Sequence, residues 1–159
     1  RDSIVVYPPL FTDKFKLVTQ KEDYYVSASR LVPYKKVELA IQAFKKLPDK
    51  RLKVIGDGPA LVKLKQLAKG SKNIEILGYL EQADFSRVLG NAKAFINSSY
   101  EDFGIAPVEA QACGTPIDQF ELTNLWAPEA IHKYATSFNN ERFAREFTKV
   151  INQCLKDHS

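Results

Sequence analysis

Methionine is absent from this 159-residue chain, cysteine is confined to Cys113 and Cys154, and histidine to His132 and His158. The cysteines lack CxxC spacing, so neither a disulfide framework nor a zinc site is signalled, and a reducing cytosol is the expected setting. Both histidines lie near the C-terminal end without a partner motif, which leaves little material for a histidine-based triad or metal cluster. No apolar run approaches the roughly 18 residues of a membrane-spanning helix, and no charged-then-apolar leader opens the chain. The glycine-rich turn Gly56-Asp57-Gly58-Pro59 is not a full GxGxxG, and no GKS or GKT ending is present. A dinucleotide fingerprint and a P-loop are therefore unsupported. With no methionine even at its start, and opening on Arg1-Asp2-Ser3, the sequence is expected to be a piece of something longer.

What is present describes a globular domain. Hydrophobic residues make up 45% and charged residues 26%, which excludes disordered and fibrous classes and suits one domain with its own core. The net charge of +4 favours an anionic partner but is too small to imply nucleic acid. Most of the lysines fall where helix faces should meet water.

Short β-branched or aromatic runs alternate with helical periods, the signal of a parallel α/β sheet. Strands are predicted at 24–28, 51–55, 73–77 and 92–98. Helices are predicted at 37–47, 60–68, 81–90, from Pro107 to Gly114, and at 127–135 and 141–155. Leu39, Ala40, Ala43, Phe44 and Leu47 should form the apolar face of the first helix. The aromatic residues of the first strand and Tyr134, Phe138, Phe143 and Phe147 read as core. This pattern predicts an α/β, Rossmann-like doubly wound parallel sheet closed by C-terminal helices. Its ligand crevice should lie beyond the carboxyl ends of the strands.

The loops there are the candidates for chemistry. Arg30 and Lys35, five apart after the first strand, could clamp a diphosphate through a guanidinium fork and an ammonium, or could simply be two surface cations. The loop 99–106 feeds a helix N-terminus, where free N–H groups receive anions. Gly104 allows close approach of the backbone to a ligand. Glu101 in that loop and Glu109 in the first helical turn could accept hydrogen bonds from sugar or ribose hydroxyls. Alternatively, Glu101 is solvated and Glu109 complements the helix dipole.

These residues resemble the C-terminal, nucleotide-sugar-binding domain of retaining group 1 (family 4) glycosyltransferases of GT-B fold, over almost the whole chain. Val6-Tyr7-Pro8-Pro9 is similar to the interdomain linker entering that domain. Ser29-Arg30-Leu31-Val32-Pro33-Tyr34-Lys35 resembles the phosphate-binding loop G-R-L-x-x-x-K, with serine in place of the first glycine. The run from Glu101 to Glu109, followed by Ala110-Gln111-Ala112-Cys113-Gly114-Thr115-Pro116, is similar to the E-x7-E motif. Trp126 to Phe147 resembles the closing helices.

The resemblance implies that Arg30 and Lys35 grip the donor diphosphate and stabilise the charge developing on the leaving group, with no metal or other cofactor expected. It implies that Glu101 contacts the donor sugar and Glu109 the ribose, with the backbone of Phe103, Gly104 and Ile105 close to sugar and phosphate. Backbone near Gly78, Tyr79 and Leu80 would meet the base, so side chains say little about base choice. Transfer with retention needs no protein nucleophile. The implied donor is GDP-mannose first, with UDP-sugars as the alternative. The implied acceptor is a cell-surface polysaccharide or glycolipid held by an N-terminal domain that lies outside this sequence. A cytoplasmic location follows, peripheral to the inner face of the membrane if the acceptor is lipid-linked. A non-catalytic Rossmann-like scaffold that lost its donor site is the competing class. One departure favours it: after Ile117 the family pattern has further strand and a glycine-rich turn, whereas here Asp118-Gln119-Phe120-Glu121 follows. The expectation is a segment missing between Ile117 and Asp118.

Overall fold

The computed structural model describes residues 4–99, 103–118 and 128–156. Among them are five parallel strands: β1 (Tyr25–Ala28), β2 (Leu52–Ile55), β3 (Ile74–Gly78), β4 (Ala94–Ile96) and β5 (Ile117–Asp118), in the spatial order β3-β2-β1-β4-β5. The helices are α1 (Val37–Lys45), α2 (Leu61–Ala68), α3 (Gln82–Asn91), α4 (Ile105–Ala112), α5 (Pro128–Thr136) and α6 (Asn140–Lys156). The predicted doubly wound sheet is present. It gains a fifth strand not counted from sequence, because β5 has only two residues, paired in register as Phe95 with Ile117 and Ile96 with Asp118.

All four residues of the central β1 are buried, as expected of a strand covered on both faces. The period of two divides them. Val26 and Ala28 join Leu89, Phe95 and Val108 in a core beneath α3 and α4. Tyr25 packs on the opposite face with Phe44, Leu52, Val54 and Leu64, beneath α1 and α2. The chain thus runs from β1 outward to β3 on one side and returns past β1 to β4 and β5 on the other. Between β1 and β4 lies the topological switch, where such sheets bind ligands.

Two sequence expectations are corrected by packing. The buried face of α1 is Val37, Ala40, Ile41 and Phe44, with Leu39 about half exposed on the far side. Positions 37, 40, 41 and 44 follow the i, i+3, i+4, i+7 pattern of a single helical face, which position 39 does not share. Tyr134 and Phe147 are exposed rather than core, and Phe143 stacks on Phe147 within α6 itself, with ring centroids 5.5 Å apart. The first turn of α6 is tied down: Asn139 Oδ1 accepts from the Arg142 N–H, and Arg142 donates to the Tyr7 carbonyl at 2.9 Å. Further along, Phe147, Ile151 and Leu155 form an exposed apolar strip at a spacing of four.

A lysine holds α3 and α4 together. Lys21 Nζ donates to the Gly90 carbonyl (2.7 Å), the Thr115 hydroxyl (2.9 Å) and the Cys113 carbonyl (3.3 Å), while Thr115 donates to the Leu89 carbonyl. It meets the C-terminal ends of both helices, where carbonyls lack intrahelical partners and the dipole favours a cation. Burial pushes its ammonium down to about 8. Among the described residues no helix is long and apolar enough to cross a membrane.

Candidate functional site

The loops leaving the carboxyl ends of β1, β2 and β3 converge on an open pocket of about 460 Å³, whose other wall is α3 and the start of α4. The loop carrying Arg30 is held there by main chain. The Leu31 N–H donates to the Asp57 carbonyl, and the Ala60 N–H to the Leu31 carbonyl. This clasp explains the glycines of the 56–59 turn. A Cβ on Gly56 would stand 1.9 Å from the Ser29 carbonyl oxygen, and one on Gly58 2.5 Å from that of Leu31. Both also have positive φ, +134° and +151°. The sequence shows a glycine-rich turn between a strand and a helix but not the main-chain clasp that requires the glycines.

Of the residues singled out from sequence, Arg30, Tyr79 and Leu80 line the pocket. Arg30 is exposed at its edge, and Tyr79 stands 69% exposed on the rim. Gly78 ends β3 with φ +74° and accepts from the Gly56 N–H at 2.8 Å, which sets the direction of the Tyr79–Leu80 loop. Lys35 lies outside the pocket, at the end of a 3₁₀ turn (Pro33–Lys35), with its ammonium 5.3 Å from the centre of the Tyr34 ring. Its carbonyl accepts from Ser98 Oγ at 3.0 Å, so the loops after β1 and β4 meet at the switch point. Glu101 falls outside the described residues.

The helix that follows begins earlier than expected. Gly104 caps α4 with φ +76°, and Ile105 is its first residue, half exposed. Helix geometry leaves the Ile105 and Ala106 N–H groups without intrahelical acceptors, and Pro107 has none to offer. Ala106 reaches the pocket wall. Phe103 is partly buried, its ring stacked on Tyr7 at 5.3 Å and edge-on to Phe138 at 5.3 Å, so any ligand contact from this residue falls to its backbone.

Because α4 starts at Ile105, Glu109 sits in the second turn rather than the first, too deep for a simple dipole role. Ala106, Glu109 and Cys113 follow one another at spacings of three and four on one face of α4. Ala106 lines the pocket and Cys113 Sγ lies 3.9 Å from Ser86 Oγ on α3. Glu109 is therefore placed between the pocket wall and the α3 contact. Its carboxyl has no hydrogen-bond or ion-pair partner among the described residues, and burial pushes it up to about 7. Glu109 does not itself line the pocket, but a half-buried carboxylate with unused acceptor capacity one turn behind Ala106 suits paired hydroxyl donors.

Ser29 and Asp57, which belong to the loops after the first two strands, also line the pocket, whereas Glu81 and Gln82, which the sequence assigns to a helix, are pocket residues that sequence reasoning missed. Ser29 Oγ is buried without a partner among the described residues. Asp57 is engaged in its own turn, Oδ1 accepting from the Gly58 N–H at 2.7 Å. Among the described residues no cluster of three or more His, Cys, Asp or Glu is arranged to hold a metal ion.

The family model for Glycosyl transferases group 1 matches residues 11–157. The chain belongs to this family. A GDP-mannose-dependent monoacylated alpha-(1-6)-phosphatidylinositol monomannoside mannosyltransferase of Corynebacterium glutamicum is 34% identical over 116 residues, covering 65% of this chain and 30% of that protein. The glycosyltransferase AviGT4 of avilamycin A biosynthesis superposes with a TM-score of 0.79 at 16% identity, over 98% of this chain and 59% of that one. Anabaena HepE in complex with UDP gives a TM-score of 0.74 at 16% identity, over 94% of this chain and 57% of that one. These likenesses show the fold, a Rossmann-like α/β domain of the GT-B glycosyltransferases. The group 1 chain described here spans 30% of the length of its mannosyltransferase relative.

Proposed function

We propose that this domain binds the donor of a retaining glycosyltransferase that moves mannose from GDP-mannose to a cell-surface polysaccharide or glycolipid. The observation that carries the reading is the pocket at the carboxyl edge of the sheet, with Arg30 on one wall and the α4 start on the other. Donor identity is supported by the GDP-mannose-dependent relative. The UDP bound in a fold neighbour keeps UDP-sugars as the second reading.

In this reading Arg30 and Lys35 stabilise the charge that grows on the leaving nucleoside diphosphate, a task that two fixed cations perform without a divalent metal. The open N–H groups of α4 and the backbone around Gly104 receive phosphate and sugar. Glu101 contacts the donor sugar, and Glu109 accepts from the ribose hydroxyls. The acceptor belongs to a second domain, so the chain alone binds donor and transfers nothing. Further residues between Ile117 and Asp118 belong to the same reading, and an intact mass above 18.0 kDa supports them.

Calorimetric titration with GDP-mannose, UDP-glucose and UDP-N-acetylglucosamine, with and without a chelator, tests the proposal. Saturable binding of GDP-mannose that survives the chelator is expected. Absence of binding to all three donors moves the assignment to a scaffold domain, and chelator-sensitive binding removes the metal-free mechanism.

A further inference from the structure

We infer that Glu81 selects guanine as the base of the bound nucleotide; the inference rests on the reading of the pocket as a nucleotide-sugar site. Glu81 lines the pocket from the N-cap position of α3, yet its side chain makes no capping hydrogen bond. Glutamate is not among the residues that N-cap geometry prefers, so the helix does not account for it. Of the two carboxylates lining the pocket, Asp57 is occupied by the Gly58 N–H. The nearby cation Arg87 is taken by Asp84 at 2.6 Å. The Glu81 carboxylate has no hydrogen-bond or ion-pair partner among the described residues and stands exposed at the pocket lip.

The layout orients a nucleotide. Arg30 follows β1 and Glu81 follows β3, and β2 lies between these strands. Two strand spacings separate them by roughly 10 Å, the scale of the distance from a base edge to a diphosphate. With the diphosphate at Arg30, the base lies beside Tyr79 and Leu80, whose side chains offer a ring face and an apolar wall. Its hydrogen-bonding edge then meets Glu81 and Gln82.

The chemistry of that edge chooses among bases. A carboxylate is acceptor-only, with two oxygens. Guanine presents two adjacent donors, N1–H and the 2-amino group, which one carboxylate can accept side by side. Uracil presents a single N–H flanked by two carbonyl oxygens, and adenine a donor beside a bare ring nitrogen. In both, one carboxylate oxygen faces a lone pair. The Gln82 amide can donate to guanine O6, completing the set.

The test titrates GDP, IDP, UDP and ADP into the purified protein and into Glu81→Gln and Glu81→Ala variants, with thermal unfolding as a control. IDP lacks only the 2-amino group. The expected result is tightest binding of GDP, with IDP weaker. Glu81→Gln should cut GDP affinity about 10- to 100-fold, the range for charge-assisted hydrogen bonds, without weakening UDP and without changing the unfolding temperature. Glu81→Ala should likewise abolish the GDP over IDP preference. Nucleotide binding without a base preference, or a GDP preference that survives both variants, overturns the role of Glu81 and leaves the donor site standing. Failure of all four nucleotides to bind overturns the donor-site reading and this inference with it.

Discussion

Replacing Glu109 by glutamine removes one titratable proton from the second turn of α4, behind the pocket wall at Ala106, at nearly constant shape. In the folded chain, burial raises this carboxyl from 4.5 to about 7. A group whose folded value lies above its unfolded one contributes stability that is complete below pH 4.5 and is lost as pH rises through 7. At about 1.4 kcal/mol per unit the full shift corresponds to about 3 kcal/mol. Solvent contact on the open side of the half-buried carboxyl screens this to about 1–2 kcal/mol. Glu109→Gln should therefore match the wild type below pH 4.5 and exceed it by that amount at pH 8. Urea denaturation followed by far-ultraviolet circular dichroism at pH 4.5, 6 and 8 measures the difference. Nucleotide affinity should move the opposite way. The wild type should bind GDP more tightly as the carboxyl ionises through pH 7, and the variant should bind more weakly with a flat profile. Equal stability of the two proteins at pH 8 refutes the desolvation argument, and equal GDP affinity refutes the contact with ribose.

Three other perturbations test separate parts of the structure. Arg30→Ala should weaken nucleoside diphosphate binding by about 1.5–3 kcal/mol in calorimetry, with little change in unfolding temperature because the side chain is exposed. Gly56→Ala sets a methyl 1.9 Å from the Ser29 carbonyl at a φ of +134°, and should cost about 2–4 kcal/mol in chemical denaturation while loosening donor binding. Lys21→Met strands the Gly90 and Cys113 carbonyls and should destabilise by about 1–3 kcal/mol near neutral pH. Since burial lowers the Lys21 ammonium from 10.5 to about 8, the wild type should also gain stability over this variant as pH rises from 8 to 10.5.

The alternation of strand and helix made the sheet legible, and with it the crevice at the carboxyl edge. Arg30, Tyr79 and Leu80 were found because they follow strands directly. What escaped was set by the third dimension. β5 is too short to carry a period, and its identity as a strand comes from pairing with β4. The depth of Glu109 depends on where α4 begins, and Gly104 moves that start by two residues relative to the proline signal. Glu81 and Gln82 look like an ordinary polar helix entry, and only the position of α3 against β3 turns them toward the pocket. Tyr134 and Phe147 fit the helical period of core residues, but periodicity identifies an apolar face without saying that anything covers it.

The clasp between residues 29–31 and 56–60 is made by main-chain atoms on both sides. Its demands on sequence are correspondingly few: no Cβ at Gly56 or Gly58, and little else. The side chains that face the pocket from these loops and from 79–82 are therefore free to change without loosening the frame that presents them. Such a site behaves as a fixed socket with exchangeable contacts. If the pocket holds the proposed donor, single substitutions at Arg30, Tyr79 or Glu81 should alter its preference while the fold, and the path of the loop at the edge of the sheet, stay as they are.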